Sequence, residues 1–183
     1  MRNLHIGGEE KCVNPDWEIF NVEEGEWVDH VGDALDLSRF DDETFDGVYA
    51  SHVLEHFDFN SKQGGSLHHA MTEWKRVLKT GGMLMISVPS LDRMCELFLD
   101  KTLPFEDRLQ IMRMIYGGHT NKYNYHYVGF DKDLLLSVFK NAGYKKVWEV
   151  EKFGIFKDSS QGNWQASEKV FSGLSINFAA RKE

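Results

Sequence analysis

The amino-acid sequence predicts an α/β fold in which a mostly parallel sheet carries helices on both of its faces. Two nearly continuous apolar stretches, residues 47–50 and 83–88, are typical of strands that are buried on both sides. Stretches with apolar residues at helical spacing alternate with these strands, as in a parallel sheet with crossover helices. Two late strands, residues 146–150 and 174–179, are joined by a polar loop alone, which predicts an antiparallel pair at one edge.

Length and composition narrow the class of protein. The chain has 183 residues, enough for a hydrophobic core, and we expect a single domain over residues 1–183. The formal net charge is -8 and the basic residues are scattered, which argues against a nucleic-acid partner. Cys12 and Cys95 lack paired spacing and indicate reduced thiols. There is neither a membrane-spanning apolar run nor a signal peptide, so we expect a cytoplasmic protein without membrane contact. The oligomeric state is left open.

Three short strands are predicted before residue 45. The first covers residues 4–6 and ends at Gly7 and Gly8, where glycines let a backbone approach a ligand closely. Residues 17–22 and 28–31 read as the second and third strands. The segment between the first two strands is so short that a shortened or lost first helix is predicted.

Four helices are predicted from apolar residues at helical spacing. The first, over residues 67–78, is expected to end at Gly81, and the fourth to begin after Asp131 as its N-cap. The remaining two are expected over residues 91–99 and between Pro104 and Gly117.

The chemistry of the chain changes where the strand over residues 47–50 ends. Ser51 could cap a helix on which His52, Glu55 and His56 share one face. The carboxyl end of a buried strand is where an open α/β sheet binds its ligand. The five residues from His52 to His56 match the H-x-x-E-H pattern of inverted zinc proteases. Because so short a pattern arises easily by chance, a zinc hydrolase is a remote alternative, and we expect no metal site.

Several segments resemble the class I S-adenosylmethionine-dependent methyltransferases, and in particular small predicted methyltransferases associated with polysaccharide biosynthesis. The resemblance implies a Rossmann-like, seven-stranded sheet that is mostly parallel and ends in an antiparallel hairpin. It also implies S-adenosylmethionine as the cofactor. The segments that carry it are residues 4–8, 28–34, 45–56, 73–89 and 116–131.

The resemblance also implies where the cofactor binds. The glycine turn would face its methionine end, the end of the second strand its ribose, the loop after the third strand its adenine, and the segment after the fourth its methyl group. Glu9 and Lys11 stand where the family has further glycines, and Asn21 where it usually has an acid, so we expect weakened affinity. The implied cofactor-binding residues are Gly7, Gly8, Asn21, Asp33, Ala34 and Ser51.

The acceptor is expected beside residues 91–130, whose later part is crowded with histidine and tyrosine. This mixture suits a small polar or sugar-like acceptor. A base helps if the acceptor is a hydroxyl, and the catalytic candidates are His52, Glu55 and His126. The substrate-binding candidates are His56, His119 and Tyr123. Each of these side chains could instead have a structural role. The altered glycine loop and the predicted loss of the first helix motivate the leading alternative, a degenerate methyltransferase fold that binds a cofactor or partner without catalysis.

Overall fold

The computed structural model describes residues 1–8, 15–59, 66–166 and 169–183. Seven of its strands form one sheet in the order β3-β2-β1-β4-β5-β9-β6, and β7 and β8 form a separate pair. The strands are β1 (Asn3–Ile6), β2 (Trp17–Asn21), β3 (His30–Val31), β4 (Phe45–Ser51), β5 (Leu78–Pro89), β6 (Lys146–Glu149), β7 (Trp164–Ala166), β8 (Lys169–Phe171) and β9 (Ser175–Arg181).

The topology of the large sheet confirms the predicted Rossmann-like architecture. The pairs β1–β2, β1–β4, β2–β3 and β4–β5 are parallel. The last strand, β9, pairs antiparallel with both β5 and β6. The strands β4 and β5 are neighbours in the interior of the sheet, as their continuous apolar sequences predict. The β7–β8 pair lies where the sequence indicated a polar loop only, so that part of the prediction is wrong.

The described helices are α1 (Ser66–Val77), α2 (Leu91–Leu99), α3 (Phe105–Tyr116) and α4 (Lys132–Asn141). The carboxylate of Asp131 caps α4 by accepting a 2.7 Å hydrogen bond from the Leu134 amide. The prediction that Gly81 ends α1 is wrong, because β5 begins at Leu78, directly after the helix. Gly81 instead lies within β5 with φ +83, and its amide bonds to the carbonyl of Lys182.

The two faces of the sheet are covered differently. Val48 and Ala50 point into a large core that includes buried residues of α1 and α4. Between them, Tyr49 points to the other face and packs in a smaller cluster with Phe156. Among the described residues this second cluster draws on strands and on the segment after β6, so it departs from the predicted helices on both faces. Aromatic rings of that segment supply the apolar cover that a helix would otherwise give.

Some predictions fall outside the described residues. Residues 9–14, between β1 and β2, lie outside the described part of the chain, and they include Glu9, Lys11 and Cys12. The predicted loss of the first helix therefore stays a prediction. Cys95 is an exposed free thiol. In the part of the chain that the structure describes, no helix is both long enough and apolar enough to cross a membrane.

Candidate functional site

A cleft of about 450 Å³ opens at the carboxyl ends of the parallel strands. Parallel strands all end at the same edge of a sheet, so the loops that follow β1, β2, β3 and β4 meet there. The lining residues are Ile6, Gly7, Phe20, Asn21, Val22, Glu23, Asp33, Ala34, Leu35, His52, Val53, His56, Phe57, Asp58, Ser66, Asn121, Lys122, Tyr123, Asn124 and Tyr127.

Gly7 forms the first wall of the cleft, directly after β1. Its φ is +77, a conformation that side chains disfavour, and a Cβ at this position would collide with the side chain of Val53. The Gly7 amide donates a 2.8 Å hydrogen bond to the carbonyl of Phe20, which ties the turn to β2. Only a glycine therefore allows the backbone to pass so close to the cleft.

Asn21, the last residue of β2, holds the neighbouring loops in place. Its Nδ2 donates to the carbonyl of Gly8 at 3.0 Å, and its Oδ1 accepts from the amide of Glu23 at 3.0 Å. One N–H and one lone pair of the side chain remain for a ligand. Glu23 adds an exposed carboxylate to the same wall. Sequence reasoning missed Glu23, although its position two residues after the strand was a usable signal.

The loop after β3 brings Asp33 and Ala34 to the cleft. The carboxylate of Asp33 accepts a 2.9 Å hydrogen bond from the Leu35 amide, which closes a tight turn. The carbonyl of Ala34 accepts a 2.9 Å hydrogen bond from Nε1 of Trp74 on α1. This loop is therefore fixed from both sides.

The segment after β4 differs from its prediction. Ser51 is the last residue of the strand, and its buried hydroxyl has no hydrogen-bond partner among the described residues. Residues 54–56 form a single 3-10 turn whose N-cap, Val53, makes no side-chain bond. His52 has φ +54, so it lies outside any helix. The predictions that Ser51 caps a helix and that the polar residues share a helical face are wrong, because the chain turns sharply at His52.

His52 lines the cleft and is held by β9. Its Nε2 lies 2.8 Å from Oγ of Ser175, and that hydroxyl donates to the carbonyl of Ser159 at 2.8 Å. Because a hydroxyl carries one proton, this network assigns the proton to Nε2 of His52. Its Nδ1 then carries a lone pair, 3.7 Å from Oε1 of Glu55. Burial lowers the pKa of His52 to about 4, so the ring is neutral at pH 7.

Glu55 lies beneath the cleft wall and is 1% exposed. Neither carboxylate oxygen has a hydrogen-bond partner among the described residues, and burial raises the pKa of this carboxyl to about 8. The backbone carbonyl of Glu55 accepts hydrogen bonds from the amides of Tyr127 (2.8 Å) and Val128 (3.3 Å). Glu55 thus anchors the segment of residues 117–130 on the turn after β4.

His56 and His126 meet beside Glu55. Their rings are 4.8 Å apart in an edge-to-face arrangement, and Nδ1 of His56 lies 2.9 Å from the carbonyl of Tyr125. Burial lowers the pKa of both rings, that of His126 to about 4. One potential ligand atom from each of Glu55, His56 and His126 lies within 4.8 Å of the others. The zinc alternative used His52 with Glu55 and His56; among the described residues His126 completes this group, whereas Nε2 of His52 lies against Ser175 and its Nδ1 is 3.7 Å from Oε1 of Glu55.

Part of the segment of residues 117–130 also lines the cleft. Tyr123 and Tyr127 line it together with Asn121, Lys122 and Asn124. Nδ2 of Asn121 donates a 3.4 Å hydrogen bond to Glu23, which joins this segment to the loop after β2.

His119 does not line the cleft, because its ring stacks on Tyr125 at 4.1 Å and its Nε2 lies 2.8 Å from the carbonyl of Tyr116.

The structure therefore gathers some of the predicted residues and separates others. Beneath or beside the cleft lining are Gly8, Ser51, Glu55, His119 and His126. In the lining itself are Gly7, Asn21, Asp33, Ala34, His52, His56 and Tyr123.

Comparisons with known proteins place this geometry in context. Residues 17–86 match the family model described as a methyltransferase domain. This range includes β2 to most of β5, and thus the loops that carry Asn21, Asp33 and His52. No curated protein matches the sequence.

Solved structures are similar in fold. A SAM-dependent methyltransferase from Archaeoglobus fulgidus is 15% identical with a TM-score of 0.59, over 99% of this chain and 86% of that one. A SAM-dependent methyltransferase from Thermotoga maritima, described as a possible histamine N-methyltransferase, is 19% identical with a TM-score of 0.53. The match covers 100% of this chain and 82% of that one. PigF, solved with S-adenosylhomocysteine, is 15% identical with a TM-score of 0.54, and the match covers 99% of this chain and 50% of that one.

Proposed function

We propose that this chain is a class I S-adenosylmethionine-dependent methyltransferase and that it methylates a hydroxyl of a small polar acceptor of the saccharide type. The match to a methyltransferase domain and the topology of the sheet support the first part. The observation that carries the proposal is the polar segment of residues 121–127, several residues of which line the same cleft as His52 and His56.

The cleft fits the proposed position of S-adenosylmethionine. The bare backbone of Gly7 leaves room that a side chain would fill, which suits the methionine end of the cofactor. Asn21 and Glu23 offer an amide and a carboxylate to the ribose hydroxyls, and Asp33 offers an acceptor to the adenine amino group. When bound, the cofactor supplies a methyl group on an already activated sulfonium.

The acceptor wall suits a sugar. Tyrosine rings can cover the apolar C–H face of a sugar ring, and asparagine amides both donate to and accept from hydroxyls. Tyr123 and Tyr127 supply the rings, and Asn121 and Asn124 the amides. Lys122, whose ammonium lies 4.7 Å from the ring centre of Tyr123, adds a positive charge to this wall and would favour an acceptor that bears phosphate.

We assign the proton-accepting role to His52. Since the cofactor is activated, the protein has mainly to position the acceptor in line with the methyl group and to exclude water. A neutral imidazole with a lone pair on Nδ1 can take the proton of an attacking hydroxyl. Glu55 and His126 lie behind His56 and would act by positioning that side of the cleft.

The test is an assay of S-adenosylhomocysteine formation with free hexoses, nucleotide-activated sugars and small amines as acceptors. We expect turnover with a saccharide, a product heavier by one methyl group, and no turnover with the amines. His52→Asn should lower kcat by a factor on the order of 10² to 10⁴, the usual contribution of a general base.

His69→Asn is the matched control, because His69 lies exposed on α1 and outside the cleft lining, and it should leave kcat unchanged. Turnover with amines alone would contradict the proposal.

A further inference from the structure

A carboxylate and two imidazoles converge at one point beneath the acceptor side of the cleft. One potential ligand atom from each of Glu55, His56 and His126 lies within 4.8 Å of the others. The three residues come from two segments that the backbone holds together, through the bonds of the Tyr127 and Val128 amides to the Glu55 carbonyl. We propose that Glu55, His56 and His126 bind one divalent transition-metal ion.

The state of Glu55 is the first support. Its side chain is 1% exposed, and neither carboxylate oxygen has a hydrogen-bond partner among the described residues. A buried polar group without a partner costs free energy, and native proteins pair nearly all such groups with protein atoms, water or ions. A cation at the convergence point would give the carboxylate its missing partner.

The hydrogen bond of His56 and the position of His126 are the second support. Histidines that bind a metal usually donate their other ring N–H to a carbonyl or carboxylate, which fixes the tautomer. Nδ1 of His56 lies 2.9 Å from the Tyr125 carbonyl, which leaves the lone pair of Nε2 for an ion. The ring of His126 lies edge-to-face with that of His56, with the ring centres 4.8 Å apart, so both imidazoles lie at the same point.

The distances require only a small adjustment. Ligand atoms about 2.1 Å from one tetrahedral zinc ion are ~3.4 Å apart, so the widest separation of 4.8 Å has to contract by roughly 1.4 Å. Side-chain rotation of the half-buried His56 and His126 can supply this contraction. Two imidazoles and one carboxylate favour zinc, iron or cobalt over magnesium or calcium, which prefer oxygen ligands.

The position of the site indicates a use for the ion. His56 also lines the cleft, so a bound ion would border the space of the acceptor. Three protein ligands leave a coordination position open, where a hydroxyl could bind and lose its proton more easily. This use rests on the proposed function, whereas the binding of the ion does not.

The test measures binding alone, in the absence of cofactor and acceptor. The protein is treated with a chelator and then titrated with Zn²⁺ by calorimetry, and with Co²⁺ by following its visible absorption. We expect one ion per chain. Glu55→Gln and His126→Asn should each weaken binding by more than the ~10- to 100-fold that loss of an outer-shell partner costs.

His69→Asn, an exposed histidine on α1, is the matched control and should bind like the wild type. Circular dichroism verifies that the variants fold, and the half-buried His126 provides a variant that disturbs the core less than Glu55 does.

Two results would overturn the proposal: no stoichiometric binding by the folded wild type, or unchanged affinity in both Glu55→Gln and His126→Asn. Either result would leave the proposed methyl transfer standing, because the titration contains neither cofactor nor acceptor. Conversely, a chain that binds one ion through these residues but transfers no methyl group would refute only the proposed function.

Discussion

The indole Nε1 of Trp74 donates a 2.9 Å hydrogen bond to the backbone carbonyl of Ala34. Trp74 is fully buried in the middle of α1, and Ala34 lies in the loop after β3 that lines the cleft. The bond therefore joins the hydrophobic core to the part of the loop that we assign to adenine. This contact couples the packing of α1 to the geometry of the loop after β3.

The first prediction concerns this contact. Trp74→Phe should lower the free energy of unfolding by ~3 kcal/mol, because the Ala34 carbonyl loses its donor and the smaller ring leaves a cavity. The affinity for S-adenosylhomocysteine should fall as well, since the loop is no longer fixed. Urea unfolding and calorimetric titration measure the two effects.

Tyr144→Phe is the matched control for the first prediction. The hydroxyl of Tyr144 is buried and has no hydrogen-bond partner among the described residues, so its removal should be neutral or stabilising. The coupling would be contradicted if Trp74→Phe lowered the free energy of unfolding and the affinity for S-adenosylhomocysteine no more than Tyr144→Phe does.

The sequence predicted the sheet well because its signals are local. The continuous apolar residues of β4 and β5 can be buried only in the interior of a parallel sheet, and Asp131 marks the start of α4 through its own side chain. The end of α1 was predicted wrongly at Gly81 because a glycine that follows apolar residues at helical spacing usually ends a helix. Here the pairing of Leu78 with Phe45 starts the strand three residues earlier, which is a non-local effect.

The second prediction concerns the ribose. Glu23→Gln should weaken S-adenosylhomocysteine binding by roughly tenfold, because a charge-assisted hydrogen bond to a ribose hydroxyl is lost. Glu24→Gln, at an exposed neighbour outside the cleft lining, should have no effect. Equal affinities for the two variants in a calorimetric titration would show that Glu23 does not bind the ribose.

The third prediction tests the residue at the end of β2. Asn21→Asp should strengthen cofactor binding by adding an ionised acceptor for the ribose hydroxyls. The gain is limited because the Gly8 carbonyl loses its 3.0 Å donor and the new carboxylate faces it. The readout is the rise in melting temperature at saturating S-adenosylhomocysteine, and a smaller rise than in the wild type would refute the assignment.

The fourth prediction concerns pH. His5 is 4% exposed, its ring lies 4.1 Å from that of Phe156, and burial lowers its pKa to about 4. Between that value and the pKa of about 6.5 in an unfolded chain, only the unfolded state binds the proton. The stability that His5 contributes is thus complete above pH 6.5 and is lost as the pH falls toward 4.

Removing His5 should therefore flatten the pH dependence. We expect the drop in unfolding free energy between pH 7 and pH 5 to be smaller by ~2 kcal/mol in His5→Leu than in the wild type. Urea unfolding at the two pH values measures the difference. An identical drop in both proteins would mean that His5 has the same pKa in the folded and unfolded states.

The site was less predictable than the sheet. Gly7, Asn21 and Asp33 lie at the end of a strand or within two residues of it, so their place at the cleft could be inferred from sequence. The positions of His119 and His126 could not, because they depend on how residues 117–130 dock onto the Glu55 carbonyl some seventy residues away. The sharp turn at His52 was also hidden, since a positive φ at a histidine leaves no sequence signal.

The central claim is that the cleft binds S-adenosylmethionine with its adenine at Asp33, and calorimetric titration with S-adenosylhomocysteine tests it most directly. We expect one site with a dissociation constant of tens to hundreds of micromolar, on the order of -5 to -6 kcal/mol. Asp33→Ala should weaken it roughly tenfold.

Asp36→Ala is the control, since Asp36 makes the same kind of turn bond, to the Ser38 amide at 3.0 Å, but lies outside the lining. It should bind like the wild type. No binding at millimolar ligand, or equal affinities in the wild type and Asp33→Ala, would contradict the claim.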